Sequence, residues 1–251
     1  MTHPLIREVR AALKKAADPE KAPQMQAYMK SAMPFRGVTG PIQKGLWRQI
    51  FPAHPLTAAG WRDVTLSLWR EAAFREERYA AIALTDLARY KGFRDTSALP
   101  MLEEMIVTGA WWDLVDPLAT HHLGDVLRTD RRGVSPLMRR WADDPDRWKR
   151  RAAILCQIRF KRDTDLDLLF ACIEPNLPDT DFFIRKAIGW ALRQYAWTDP
   201  KAVTRYVKAN LDRLSGLSVR EALKNIGGST HQDPPYPPNS SSRTRARSRS
   251  I

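Results

Sequence analysis

Four Ala-bearing segments of this chain superimpose on one another: Arg78-Tyr79-Ala80-Ala81-Ile82, Arg150-Arg151-Ala152-Ala153-Ile154, Arg185-Lys186-Ala187-Ile188-Gly189 and Arg220-Glu221-Ala222-Leu223. Ala152, Ala187 and Ala222 are spaced 35 residues apart, and Ala80 stands about two periods before Ala152. A period near 35 residues is the signature of stacked helix pairs, each unable to bury its apolar face alone. A small residue at the repeated position lets paired helices approach closely.

The rest of the pattern agrees. Apolar residues recur at three and four positions, and alternating Val, Ile and Thr runs do not occur. Prolines such as Pro19, Pro34, Pro52, Pro100, Pro136, Pro145, Pro175 and Pro200 punctuate the periodic segments, predicting many short helices. Asp95-Thr96-Ser97 and Thr198-Asp199-Pro200 read as helix starts. The expected fold is therefore an all-α solenoid of about six HEAT-like helix pairs over residues 1–226. From residue 227 the composition turns to Pro, Ser and Arg, with nothing to bury, and residues 227–251 are expected to be a disordered tail.

Lys and Arg total 41 against 28 Asp and Glu, a formal net charge of +13. Only +3 of this falls in the tail, so the folded part itself favours a polyanion, and nucleic acid becomes the expected partner class. The 2 cysteines, Cys156 and Cys172, cannot build a disulfide framework or a four-thiolate zinc site, which fits a reducing cytoplasm. No apolar leader or membrane-length stretch is present, and the expectation is no membrane, no metal and no cofactor. Adjacent His121 and His122 diverge by about 100° on a helix and make a poor chelate.

The repeat also aligns chemistry. One period before Arg151 stands Asp116, one period after it stands Lys186, and Trp190 follows a helical turn later. Trp112 and Asp116 share a helix face, so a carboxylate is set among cations and indoles. Trp111, Trp112, Trp148 and Trp190 taken singly each read as core, though the stripe as a whole does not, and the acid taken alone reads as half of an ion pair with Arg151. Arg139, Arg140, Arg147, Lys149, Arg150, Arg151, Arg159, Lys161 and Arg162 crowd one region, followed by Arg185, Lys186 and Arg193, a set whose counterpart would be phosphate.

Three ordered segments, Trp111-Trp112-Asp113-Leu114-Val115-Asp116, Trp148-Lys149-Arg150-Arg151-Ala152-Ala153-Ile154 and Phe182 through Arg193, resemble the signature segments of the AlkD family of HEAT-like-repeat DNA glycosylases. Tyr28-Met29-Lys30 followed by Pro34-Phe35-Arg36-Gly37-Val38 is similar to that family's opening. The resemblance implies excision of alkylated purines from double-stranded DNA by a bacterial cytoplasmic monomer. It makes Asp116 the catalytic carboxylate, Trp112 and Trp190 its aromatic walls, and Arg151 the neighbour of both carboxylate and backbone. Tyr28, Phe182 and Arg193 fall on positions of DNA or site contact, with Arg150, Arg185 and Lys186 adding charge. Asp113 is ranked behind Asp116. The expected substrates are N3-alkyladenine and N7-alkylguanine, cleaved without a base-flipping pocket; the alternative is a non-catalytic HEAT-repeat DNA-binding or scaffold protein.

Overall fold

A computed structural model describes residues 2–226, and the Pro/Ser/Arg tail expected over 227–251 lies outside them. The described residues are helical, with no strand among them, as the periodicity predicts. Packing divides the chain after Lys91 into two units.

The first unit holds α1 (Pro4–Lys15), α2 (Lys21–Met29), α3 (Gly40–Ile50), α4 (Ala58–Arg70) and α5 (Arg75–Thr85). Its core is built from Leu5, Val9 and Leu13 of α1, Trp61, Leu68 and Trp69 of α4, and Ala80, Ala81 and Leu84 of α5, all essentially inaccessible. Glu76 is fully buried at the start of α5, and its carboxylate accepts the backbone N–H groups of Arg36, Gly37 and Val38 at 2.9–3.2 Å. The segment leading from α2 to α3 is thereby tied to α5. Gly37 sits there at φ +81°, and a Cβ on it would lie 2.1 Å from the Asp18 carbonyl oxygen, so only glycine fits.

The second unit comprises α6 (Leu99–Gly109), α7 (Trp112–Pro117), α8 (Gly124–Thr129), α9 (Arg131–Ala142), α10 (Arg147–Leu155), α11 (Leu166–Ile173), α12 (Phe182–Ala196), α13 (Pro200–Ala209) and α14 (Gly216–Leu223). One layer runs α7, α10, α12, α14, each packed on the next; α6, α9, α11 and α13 lie behind. Consecutive helix pairs stacked in two layers are an α-solenoid. Ala152, Ala187 and Ala222, the residues that set the period, are all fully buried.

Acidic caps fix where the helices of the site begin. Asp146 accepts from the N–H groups of Trp148 and Lys149, and Asp181, one period later, from those of Phe183 and Ile184. Asp199 caps α13 ahead of Pro200, as the sequence predicts. Pro136 departs from the expected punctuation: it lies inside α9, on its exposed side, where the carbonyl it leaves without an intrahelical donor can be hydrated.

Candidate active site

The site grows from the junction of α7 with the turn that follows it. Pro117 has no N–H to donate, so the regular ladder cannot continue through it, and the backbone widens into a π-helical turn over Leu118–Leu123. Thr120 Oγ1 donates to the Asp116 carbonyl at 2.8 Å across this turn. Asp116 is thus the last acidic side chain before a break in helical geometry.

Its carboxylate meets Arg151 of α10 edge to edge. Arg151 Nε donates to Oδ1 and Nη2 to Oδ2, both at 2.7 Å, while Nη1 donates to the Phe183 carbonyl on α12 at 2.6 Å. Arg151 is 1% exposed, whereas the Asp116 side chain retains 13% exposure. The guanidinium is sealed in, and the carboxylate it holds still reaches solvent. Each carboxylate oxygen accepts one of these bonds and keeps a second lone pair. Burial pushes the Asp116 carboxyl above the usual aspartate range; Arg151 opposes that rise and the charge of Asp113 adds to it.

Aromatic rings floor the pair. Phe183 packs against Trp111 at 5.1 Å between centroids and against Trp148 at 5.0 Å, and the Arg151 guanidinium stands 5.9 Å from the Phe183 ring. Trp111 and Trp148 are buried, the core role expected of each. Trp112 and Trp190, expected as walls of the site, are half-buried on α7 and α12 and keep part of each indole at the surface.

The remaining candidates separate. Arg150 donates Nη2 to Asp179 Oδ2 at 2.8 Å, and Arg185 donates Nε to the Asp179 carbonyl at 2.8 Å, so one aspartate gathers both ahead of α12. Phe182 is half-buried edge-on to Phe183. Tyr28 is 75% exposed on α2, in the first unit. Lys186 is turned inward, 7% exposed, with Nζ 2.9 Å from Glu221 Oε1. Arg193 meets the other oxygen of the same carboxylate. Glu221 was not singled out in the sequence, although it stands one 35-residue step beyond Lys186.

Among the described residues, no group of three or more His, Cys, Asp or Glu is set to hold a metal ion. No helix there is long and apolar enough to cross a membrane. Cys156 and Cys172 are buried, which lifts both thiols, Cys172 to about 12, and leaves neither a ready nucleophile.

A family model described as DNA alkylation repair enzyme matches residues 9–226, nearly the whole of the described chain. The chain belongs to the DNA alkylation repair enzyme family. A solved structure described as a predicted DNA alkylation repair enzyme from Enterococcus faecalis shares 29% identity with it, at a TM-score of 0.69, over 85% of this chain and 98% of that one. No curated protein matches. Membership in the DNA alkylation repair enzyme family gives the chain a role in the repair of alkylated DNA, and supplies the polyanion that its net charge of +13 anticipates.

Proposed function

We propose that this protein is a DNA glycosylase that hydrolyses the N-glycosidic bond of cationic alkylpurines in duplex DNA, with Asp116 as the catalytic carboxylate. The observation that carries this reading is the Asp116–Arg151 pair: a carboxylate fixed at both oxygens by a buried guanidinium, yet open to solvent on one side, in a strongly basic chain.

Alkylation at N3 of adenine or N7 of guanine makes the base cationic, so it departs neutral once the C1′–N9 bond breaks and the bonding pair leaves with it. No general acid is needed. The sugar left behind is oxocarbenium-like, and a preorganised carboxylate stabilises that charge as it develops. Water then bonds to C1′ and gives up a proton, which Asp116, lifted by burial, is suited to accept. Trp112 and Trp190 offer indole faces to the cationic centres, an attraction of about 0.5–2 kcal/mol. Arg150, Arg185 and Arg193 supply positive charge for the phosphodiester backbone.

A protein that merely binds DNA loses affinity by presenting a carboxylate to phosphate, which favours chemistry over the scaffold alternative. The test is duplex DNA carrying one N7-methylguanine, scored for abasic sites against a no-enzyme control. Wild type releases the base, and Asp116→Asn binds as well or better and releases nothing. Binding without release by wild type makes the protein a damage-recognition module, and comparable excision of uracil or hypoxanthine overturns the requirement for a cationic base.

A further inference from the structure

Glu221 holds two cations of α12 at once. Lys186 Nζ lies 2.9 Å from Oε1, and Arg193 Nη1 lies 2.6 Å from Oε2. Glu221 is 4% exposed and Lys186 7%, but the Arg193 side chain retains 18%. The approach depends on Gly189, where a Cβ would sit 2.3 Å from the Glu221 Cβ and 2.9 Å from the Ser218 carbonyl oxygen. Residues 186, 189 and 193 form the stripe of α12 pressed on α14, and Trp190 borders it, four residues after Lys186 and three before Arg193.

The two cations are not equivalent. A buried ammonium needs a counterion, and Glu221 supplies one to Lys186. Arg193 brings five donors in a rigid fork, of which Nη1 faces Glu221, and its guanidinium makes no other hydrogen bond among the described residues. The Arg193 side chain keeps its 18% exposure on the helix face that also carries Trp190, one turn earlier.

We infer that Glu221 is a positioning residue for DNA: by gripping one corner of the Arg193 guanidinium, it presents the remaining N–H donors beside Trp190 as a fixed seat for one phosphodiester. This rests on the reading of the protein as one that acts on duplex DNA. A free arginine loses rotamer freedom on taking a phosphate, and a tether built into the fold removes most of that loss beforehand. The carboxylate is buried behind the cation, so it orients Arg193 without itself facing the phosphate.

The experiment measures affinity for an undamaged duplex by fluorescence anisotropy over a range of salt concentrations. Three proteins are compared: wild type, Arg193→Met, and Lys186→Met/Glu221→Gln, which keeps the net charge and replaces the buried pair with neutral groups. Loss of one phosphate contact makes the slope of log affinity against log salt shallower by about 0.9 and weakens low-salt binding by roughly three- to tenfold. Arg193→Met shows this change, the double variant reproduces most of it, and adding Arg193→Met to the double variant changes little further. Glu221→Gln alone also weakens binding, although deleting an anion near a polyanion should tighten it. An unchanged slope in Arg193→Met, which leaves the Lys186–Glu221 pair intact, overturns the seat; wild-type affinity in the double variant, or tighter binding in Glu221→Gln, overturns the positioning role. The duplex carries no lesion, so a wild type that binds but releases no N7-methylguanine sinks the glycosylase reading and leaves this one standing.

Discussion

Arg151 grips Asp116 through both carboxylate oxygens, Nε to Oδ1 and Nη2 to Oδ2, each at 2.7 Å, across an interval of 35 residues. One repeat thus reaches back to orient the acid of the repeat before it. The third corner of the guanidinium is fixed by the Phe183 carbonyl of the repeat after it. A planar fork held at three points leaves the carboxylate little freedom to rotate.

That geometry makes Arg151→Lys a demanding test. An ammonium preserves the charge but cannot span two oxygens, so the carboxylate regains rotation and a displacement on the order of 1 Å costs roughly 100-fold in rate. Single-turnover excision of N7-methylguanine should fall by about that factor. Full activity in Arg151→Lys would show that charge alone suffices.

The pH dependence has a definite sign. Burial raises the Asp116 carboxyl above the ordinary aspartate value, with Arg151 opposing and Asp113 reinforcing. An acid raised in the folded state binds its proton more tightly than in the unfolded chain, so its stabilising contribution is complete below the ordinary aspartate value and is lost as pH rises through the folded value. Catalysis needs the ionised form and runs the other way, with excision rising through that same interval. Asp113→Asn should move this acid limb to lower pH and Arg151→Met to higher pH, measured as single-turnover rate against pH with spontaneous depurination subtracted. Shifts in the same direction for both variants would detach the limb from Asp116.

The helix pairs were legible because a small residue every 35 positions and a cap such as Asp199 ahead of Pro200 act locally, in each repeat's own backbone. Asp116 and Arg151 were legible for the same reason, since a period that aligns helices also aligns what they carry. Side-chain direction was not. Lys186 stands in the same register as Arg151 and is buried like it, yet where Arg151 reaches back to Asp116, Lys186 bonds forward to Glu221, because Gly189 lets α14 come close enough for that carboxylate to reach it. That depends on the distance between two helices, which no spacing within α12 encodes. Glu76 was missed for a related reason: the backbone N–H groups it satisfies belong to a segment about 40 residues earlier, and hydrogen bonds of that reach leave no periodic trace.

Glu76 should accordingly control the stability of the first unit. Glu76→Ala leaves the N–H groups of Arg36, Gly37 and Val38 without an acceptor in a buried place, at a cost of about 3 kcal/mol or more, whereas the amide oxygen of Glu76→Gln keeps part of the set and costs less. Gly37→Ala should also destabilise, through its positive φ and the Asp18 carbonyl. Urea denaturation ranks them; Glu76→Gln as damaging as Glu76→Ala would mean that the negative charge itself, and not acceptance of these bonds, is what matters.

Trp112 and Trp190 separate binding from chemistry. Both residues are half-buried, so each is anchored in the fold and keeps part of its surface accessible. During cleavage the positive charge migrates from base to sugar, and an indole beside the sugar attracts that charge only as it forms, whereas one stacked on the base attracts it from the start. If the two rings flank the reacting sugar, Trp112→Ala and Trp190→Ala each forfeit about 1–2 kcal/mol in the transition state, a rate loss of roughly 5- to 30-fold that appears at saturating DNA. Phe at either position should retain part of the rate, because its ring carries the same kind of quadrupole in weaker form. Single-turnover rates and affinities for N7-methylguanine duplex decide between the two arrangements. A loss confined to affinity would put the indoles on the base and leave the charge on the sugar to Asp116 alone.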